Sequence, residues 1–349
     1  MKKIIYLVPE IYNCGPLNVV LNILRFLNLD IFDPYIVALR RSSHNQDYLK
    51  EFIDIVGMEK IYYLDGGNSP LDDLLKIVLD RKIDCIHSHG FYPDKLASKI
   101  SGLKKISTVH CMFYKDYPKE YGAIKGLIGA YMHFSILKKS KINHIVGCSN
   151  AVSNYCKHHL KDLNITTINN GVDQNVFYKL DEMSRLKLKE KYNISNKRVF
   201  VYSGRFIRRK KVPELIQIFI ENSTERDVLL LLGDGPEKEL CERKYTQENI
   251  QFLGQVSNPE KFYQVSDFII SNSDSEGYPM SIIEAVSCGC YALLSDIPPH
   301  REFIEKNLES SNLINSSNFS LVTRQTANFN TVKLSAKMMS EQYMSLYLD

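Results

Sequence analysis

Short, nearly uninterrupted runs of apolar and β-branched residues recur along the chain, separated by stretches in which apolar positions return every three or four residues. The runs cover residues 3–8, 35–39, 60–64, 84–87, 105–109, 144–148 and 166–168 in the first half. In the second half they cover 199–202, 228–232, 250–253, 268–270 and 292–295. Runs without alternation, joined by helical crossovers, predict parallel strands buried on both faces. Two such series meet near Asn169-Asn170-Gly171-Val172-Asp173. The pattern therefore predicts an α/β protein of two Rossmann-like domains whose parallel sheets face a central cleft. Their bounds are 1–168 and 169–330, with an amphipathic helix over about 331–349. Whether that helix packs back on the first domain is left open. Residues 310–330 are rich in Ser and Asn and read as loop.

One helix start stands out. Ser275-Glu276-Gly277-Tyr278-Pro279-Met280-Ser281-Ile282-Ile283-Glu284-Ala285 puts two carboxylates across it. Pro279 suits the first helical position, and Gly289 is a natural stop. Glu276 then lies in the loop and Glu284 one to two turns inside. The rise per residue separates them by roughly 10 Å, about the span of a sugar, a diphosphate and a ribose. The unpaired amides of a helix N-terminus between them favour phosphate. Taken alone, the pair reads equally well as a loop acid and a surface helix acid.

At 349 residues the chain exceeds one ordinary core and suits two domains. Its 44% apolar and 24% charged residues are those of a soluble globular protein. The 8 cysteines are scattered, and no secretory signal opens the sequence, so the expected setting is a reducing cytoplasm. Cys288-Gly289-Cys290 has no second pair at zinc spacing, so no metal is expected. The net charge of +4 divides unevenly: residues 1–165 hold 22 Lys/Arg against 16 Asp/Glu, and the remainder 22 against 24. Residues 104–141 hold eight basic to two acidic side chains around Tyr114, Tyr117, Tyr121 and the apolar stretch 124–134. That stretch is too short to span a bilayer, but a basic aromatic surface can rest on anionic lipid. A partly buried helix with a solvated lysine rim fits as well. No nucleic-acid signature accompanies the charge.

In parallel sheets ligands gather at the carboxyl ends of strands. Four loops there carry candidate chemistry. Asn13-Cys14-Gly15-Pro16 puts a glycine at the first strand-to-helix turn, and Ser107-Thr108-Val109-His110 ends a strand on a histidine. Gly204-Arg205-Phe206-Ile207-Arg208-Arg209-Lys210-Lys211 crowds cations directly after a strand and before a helix over 213–220. Such crowding suits a diphosphate, which Arg grips in a fork and Lys meets as a point charge. Charge-assisted bonds of roughly 1.5–3 kcal/mol each make two of them decisive. Gly233-Asp234-Gly235-Pro236 lacks the third glycine of a dinucleotide fingerprint, and no Gly-Lys-Ser/Thr phosphate loop occurs.

Taken in order, these elements resemble the retaining GT-B glycosyltransferases of family 4, which include capsule, O-antigen and exopolysaccharide enzymes. The likeness is specific in the second half: Asn170-Gly171-Val172-Asp173 with Phe177, Gly204-Arg205 with Lys210, Gly233-Asp234-Gly235-Pro236, Phe252-Leu253-Gly254, Glu276 to Glu284, and Ser295-Asp296-Ile297-Pro298-Pro299-His300-Arg301-Glu302. In the first half it rests on Gly15 and Thr108-Val109-His110.

The resemblance implies transfer of a hexose or N-acetylhexosamine from a nucleotide-diphospho-sugar, UDP ahead of GDP, to a glycan or polyprenyl-linked glycan in surface polysaccharide biosynthesis. It implies that Gly204, Arg205 and Lys210 meet the diphosphate, that Glu284 holds the ribose, and that the main chain at Gly254 and Gln255 meets the base. Glu276 with the amides of Gly277 and Tyr278 would position the sugar. Gly15 would close on the phosphates, and His110 would contact sugar near the reacting centre. His110, Glu276, Arg205 and Lys210 are thus the catalytic candidates, with no metal and no nucleic-acid partner expected. The enzyme would be cytoplasmic, with an anionic membrane surface as a further partner. Departures are Cys14 beside Gly15, Lys211 where glycine commonly follows the lysine, and the irregular polar stretch 307–318. A phosphorylase or epimerase of the same shape, and a non-catalytic nucleotide-sugar-binding protein, are the other readings.

Overall fold

The protein is described by a computed structural model over residues 1–42, 46–67, 69–139, 142–314 and 334–349. It divides into two compact units, Met1–Gly171 with Ala336–Asp349, and Val172–Ser335. The division falls three residues beyond the boundary read from the sequence.

The first unit is built on seven strands: β1 Lys2–Glu10, β2 Phe32–Arg40, β3 Ile61–Tyr63, β4 Cys85–His89, β5 Lys104–Val109, β6 His144–Gly147 and β7 Ile165–Thr167. They pair in parallel in the order β3-β2-β1-β4-β5-β6-β7. Ile4 through Val8 are fully buried, as a strand covered by helices on both faces requires. The second unit contains β8 Arg198–Ser203, β9 Asp227–Leu232, β10 Ile250–Gly254, β11 Phe268–Ser271, β12 Tyr291–Leu294 and β13 Ser311–Leu313. All pairings are again parallel, in the order β10-β9-β8-β11-β12-β13. Its core joins Phe200, Tyr202, Phe206, Phe219 and Phe268 with Leu229 and Leu231 of β9. In each sheet the order reverses beside the first strand of the unit, at β1/β4 and at β8/β11. Loops leaving those strand pairs are therefore the places where a ligand fits between diverging crossovers.

Three details differ from the sequence reading. β13 lies in the stretch read as irregular, because pairing with the edge of β12 outweighs the weak strand propensity of Ser-Asn-Leu. Ser311 also ties its hydroxyl to the Asn307 carbonyl at 2.7 Å. Residues 315–333 lie outside the described residues, and the C-terminal helix is described as Ala336–Leu348. It packs in the first unit, where the Ser340 hydroxyl donates to the Ile23 carbonyl in the helix Gly15–Arg25. Pro279 is the cap of the helix Met280–Ser287 rather than its first residue, so the helix begins one position later than expected. Its end is as expected: Gly289 has φ 94°, and Cys290 N donates back to Ala285 O at 3.0 Å.

The loops after β8 and β9 stack closely. Gly204 N donates to Leu232 O and Phe206 N to Asp234 O, while Gly233 N donates to Gly254 O. A Cβ on Gly233 would lie 2.0 Å from the Gly204 carbonyl oxygen, and its φ of 127° disfavours any side chain. The Gly233-Asp234-Gly235 segment thus supports the basic loop. Gly233→Ala is expected to destabilise the second unit by about 2 kcal/mol or more. Urea titration measures this, and an unchanged midpoint would mean that the two loops do not touch as described.

Candidate active site

The site is built where β8 and β11 lie side by side. The chain leaves β8 through Gly204, makes a 3-10 turn at Arg208–Lys210, and enters the helix Val212–Asn222. Lys211, at the junction, has φ 49°, the left-handed region where glycine is favoured. This is the position at which the sequence departs from glycine. Lys211 Nζ pairs with Asp274 Oδ1 at 2.6 Å. The chain leaving β11 passes through Ser273, Asp274 and Ser275 to Glu276, and the two loops are tied by Asp274 N donating to Arg209 O at 2.8 Å.

That tie brings Glu276 between two cations. Lys210 Nζ bonds to Glu276 Oε1, and Arg209 Nη1 approaches Glu276 Oε2 at 3.3 Å while donating to Ser275 O at 2.8 Å. The Glu276 side chain is 7% exposed and that of Lys210 13%. Burial alone would raise the Glu276 pKa, but Lys210 and Arg209 overcome it and hold the carboxyl at about 2. For Lys210, burial pushes the ammonium down and Glu276 pulls it back. Arg205 is exposed, and its carbonyl accepts the Tyr202 hydroxyl at 2.9 Å. The sequence points to Arg205 and Lys210; the structure joins Lys210 to Glu276 and adds Arg209. Four consecutive cations of similar chemistry carry no signal of which faces inward.

His300 is a second addition. Fully buried, it is held at Nδ1 by Ser295 O at 3.0 Å and Ser295 Oγ at 3.1 Å, while Ser295 Oγ reaches Ser273 O at 2.6 Å. Its Nε2 is buried without a hydrogen-bond partner among the described residues. Burial lowers its pKa to about 4, partly countered by the charge of Glu276.

Glu284 lies in the second turn of Met280–Ser287, buried, with the Tyr263 hydroxyl donating to Oε2 at 3.3 Å. Burial raises its pKa to about 7, with Glu260 adding to the shift. Tyr278 buries its ring near Phe303, Gly254 turns with φ 68°, and Gln255 is exposed. Cys290 donates its thiol to Tyr263 O at 3.2 Å, and burial pushes the Cys288 thiol up, so the pair behaves as packing. Gly15 and His110 belong to the first unit: Gly15 opens the helix after β1, and His110 follows β5 with Nε2 2.9 Å from His89 Nδ1.

Two family profiles match the chain, Glycosyltransferase Family 4 over residues 15–176 and Glycosyl transferases group 1 over residues 184–321. The O-antigen biosynthesis glycosyltransferase WclY of Escherichia coli is 24% identical over 314 residues, covering 87% of this chain and 83% of that protein. An Escherichia coli UDP-Gal:alpha-D-GlcNAc-diphosphoundecaprenol alpha-1,3-galactosyltransferase is 25% identical over 65% of this chain and 61% of its own. Among solved structures, Anabaena HepE in complex with UDP superposes with a TM-score of 0.78 at 15% identity, covering 99% of both chains.

The raised pKa of Glu284 has a consequence for stability. Its contribution is fully present below its unfolded pKa near 4.5 and is lost as pH rises through about 7. Glu284→Gln is expected to remove up to roughly 3 kcal/mol of that alkaline loss. Urea midpoints of both proteins at about pH 5 and about pH 8 read the difference. Parallel pH profiles would show that this carboxyl is not buried as described.

Proposed function

Because the chain is a glycosyltransferase of the GT-B fold, and a hexosyltransferase, we propose that it moves a hexose or N-acetylhexosamine from a UDP-sugar to a glycan or polyprenyl-linked glycan. In this reading the anomeric configuration is retained and the product enters a surface polysaccharide. The observation that carries it is the Lys210–Glu276–Arg209 cluster at the β8/β11 reversal. A UDP donor is supported by HepE, solved with UDP and with UDP-glucose. The polysaccharide setting and the lipid-linked acceptor are supported by the names of WclY and the galactosyltransferase.

The residues act as follows. Lys210 and Arg205, with the main chain at Gly204, face the diphosphate, and Arg209 holds Glu276 in place from the opposite oxygen. Glu276, ionised throughout the neutral range, accepts hydroxyls of the transferred sugar beside the amides of Gly277 and Tyr278. Glu284 receives the ribose hydroxyls, its Tyr263 bond fixing the carboxyl plane. The base lies along Gly254 and Gln255. Gly15 and His110, in the first unit, are assigned to donor contacts on the family likeness alone. As the glycosidic bond breaks, charge grows on the leaving diphosphate, and fixed cations stabilise that growth more than the ground state. The leaving phosphate then takes the proton of the acceptor hydroxyl. We assign this charge neutralisation to side chains and not to a metal.

Lys210→Ala and Arg209→Ala are each expected to lower turnover at least about tenfold, since a lost charge-assisted bond exceeds 1.4 kcal/mol. Acceptor-dependent UDP release measures it and separates transfer from phosphorolysis or epimerisation. Wild-type turnover in both variants would remove the cluster from the reaction. Thermal stabilisation by UDP but not by GDP or ADP would support the choice of nucleotide.

We further propose that the enzyme is cytoplasmic and rests on the inner face of the membrane through the helix Ala123–Lys139. No helix among the described residues is long and apolar enough to cross a bilayer. Yet this one is apolar on both sides. Gly126, Ala130, His133, Phe134 and Leu137 face the core, while Ile124 (76% exposed), Leu127, Ile128, Tyr131 (66%) and Met132 face outward. Lys125, Lys138 and Lys139 are exposed at its two ends. An outward apolar stripe between lysines complements an anionic lipid surface. Ile128→Glu and the pair Lys138→Glu with Lys139→Glu should each release the protein from phosphatidylglycerol vesicles in sedimentation. Retention in both, or equal binding to neutral vesicles in high salt, contradicts the lipid contact.

A further inference from the structure

The carboxyl ends of β4 and β5 hold an unusual amount of buried polar aromatic surface. His87, His89 and His110 follow one another in a column, with ring centroids 4.3 Å apart for His87 and His89 and 5.2 Å apart, stacked at 23°, for His89 and His110. The C-terminal helix supplies the other rings. The Tyr347 hydroxyl lies 2.8 Å from His87 Nδ1, and the Tyr343 hydroxyl lies 3.0 Å from Thr108 Oγ1, which in turn lies 2.7 Å from His87 Nε2. Tyr6 completes the group from β1, 5.5 Å from His87 between centroids. Burial lowers the pKa of His87 to about 3 and of His110 to about 4, and that of His89 well below the ordinary value. At neutral pH each imidazole is therefore uncharged and carries a single N–H.

One proton must then lie between His89 Nδ1 and His110 Nε2, which are 2.9 Å apart. If His110 donated it, His89 would carry its own proton on Nε2. That atom is buried without a partner among the described residues, so a donor would be orphaned. If His89 donates, Nε2 keeps only a lone pair, and buried acceptors are left unfilled more often than buried donors. Ring orientation and proton position are then both set by the bond that the other nitrogen makes.

We infer that His89 is a positioning residue, donating from Nδ1 to His110 Nε2 and thereby fixing His110 as the Nδ1–H tautomer. His110 is then left with an N–H to offer a ligand oxygen, and acts there as a hydrogen-bond donor. It cannot serve as general base, because one nitrogen already accepts and the other already bears the proton. The column of His87, Tyr343 and Tyr347 keeps the His89 ring from turning. The contact with ligand rests on the transferase reading; the tautomer does not.

Two measurements test this. In 15N-labelled, ligand-free protein, long-range 15N–1H correlation of the imidazoles is expected to show His110 protonated at Nδ1 and bare at Nε2. His89→Phe removes the donor that fixes the tautomer and is expected to give a mixture of both, whereas His89→Asn, whose amide nitrogen sits near the former Nδ1, keeps the proton on Nδ1. A wild-type His110 protonated at Nε2 overturns the assignment. In turnover, His110→Asn keeps a donor near Nδ1 and is expected to exceed His110→Gln by at least tenfold. Equal loss in the two, or better activity in Gln, overturns the donor role. Absence of transfer from any UDP-sugar by the wild type would sink the transferase reading while leaving the spectroscopic result to stand by itself.

Discussion

A carboxylate nearly cut off from water and kept ionised by two cations governs the layout of the second unit. Desolvation works against the charge on Glu276, so the side chain stays ionised only while Lys210 and Arg209 remain on its two oxygens. Removing one partner of such a set typically costs about 3–5 kcal/mol, whereas an exposed pair contributes little. The contact therefore acts as a constraint on backbone. It fixes the loop leaving β8 against the loop leaving β11, and those strands are neighbours because the sheet order reverses there. Backbone pairing of Asp274 with Arg209, and the left-handed Lys211 held by Asp274, follow from the same demand.

The two glutamates of the helix start illustrate how one element gives opposite electrostatics. Glu276, before the helix, sits among cations and is held acidic; Glu284, inside it, has a phenol for its partner and is held near neutrality. Their burial is similar, so the difference lies in neighbours and not in solvent. A site that must bind both a charged group and hydroxyls gains from having the two states side by side.

Much of this could be read from the sequence, and the reason is physical. Strands buried on both faces need continuous apolar runs, so among the described residues twelve strands show as such, and Ser311–Leu313 escaped because its place is set by the edge of β12. Glu276, Glu284 and Lys210 were legible from their position after strands and around a helix start. Arg209 was not, because which member of a cationic run turns inward depends on a single 3-10 turn at Arg208–Lys210. His300 stood in the motif without a role, and His89 was hidden for another reason. A histidine at the end of a strand looks alike whether it fills space or orients a neighbour, and only its hydrogen-bond partner separates the two.

The second unit is one continuous segment, whereas the first is interrupted by it and regains its last helix only at residues 336–349. On the ribosome, the second unit can reach its native contacts while the first still lacks Tyr343 and Tyr347. The ring packing around His87 is thus a contact between distant parts of the chain, closed only once the helix that follows the second unit is in place.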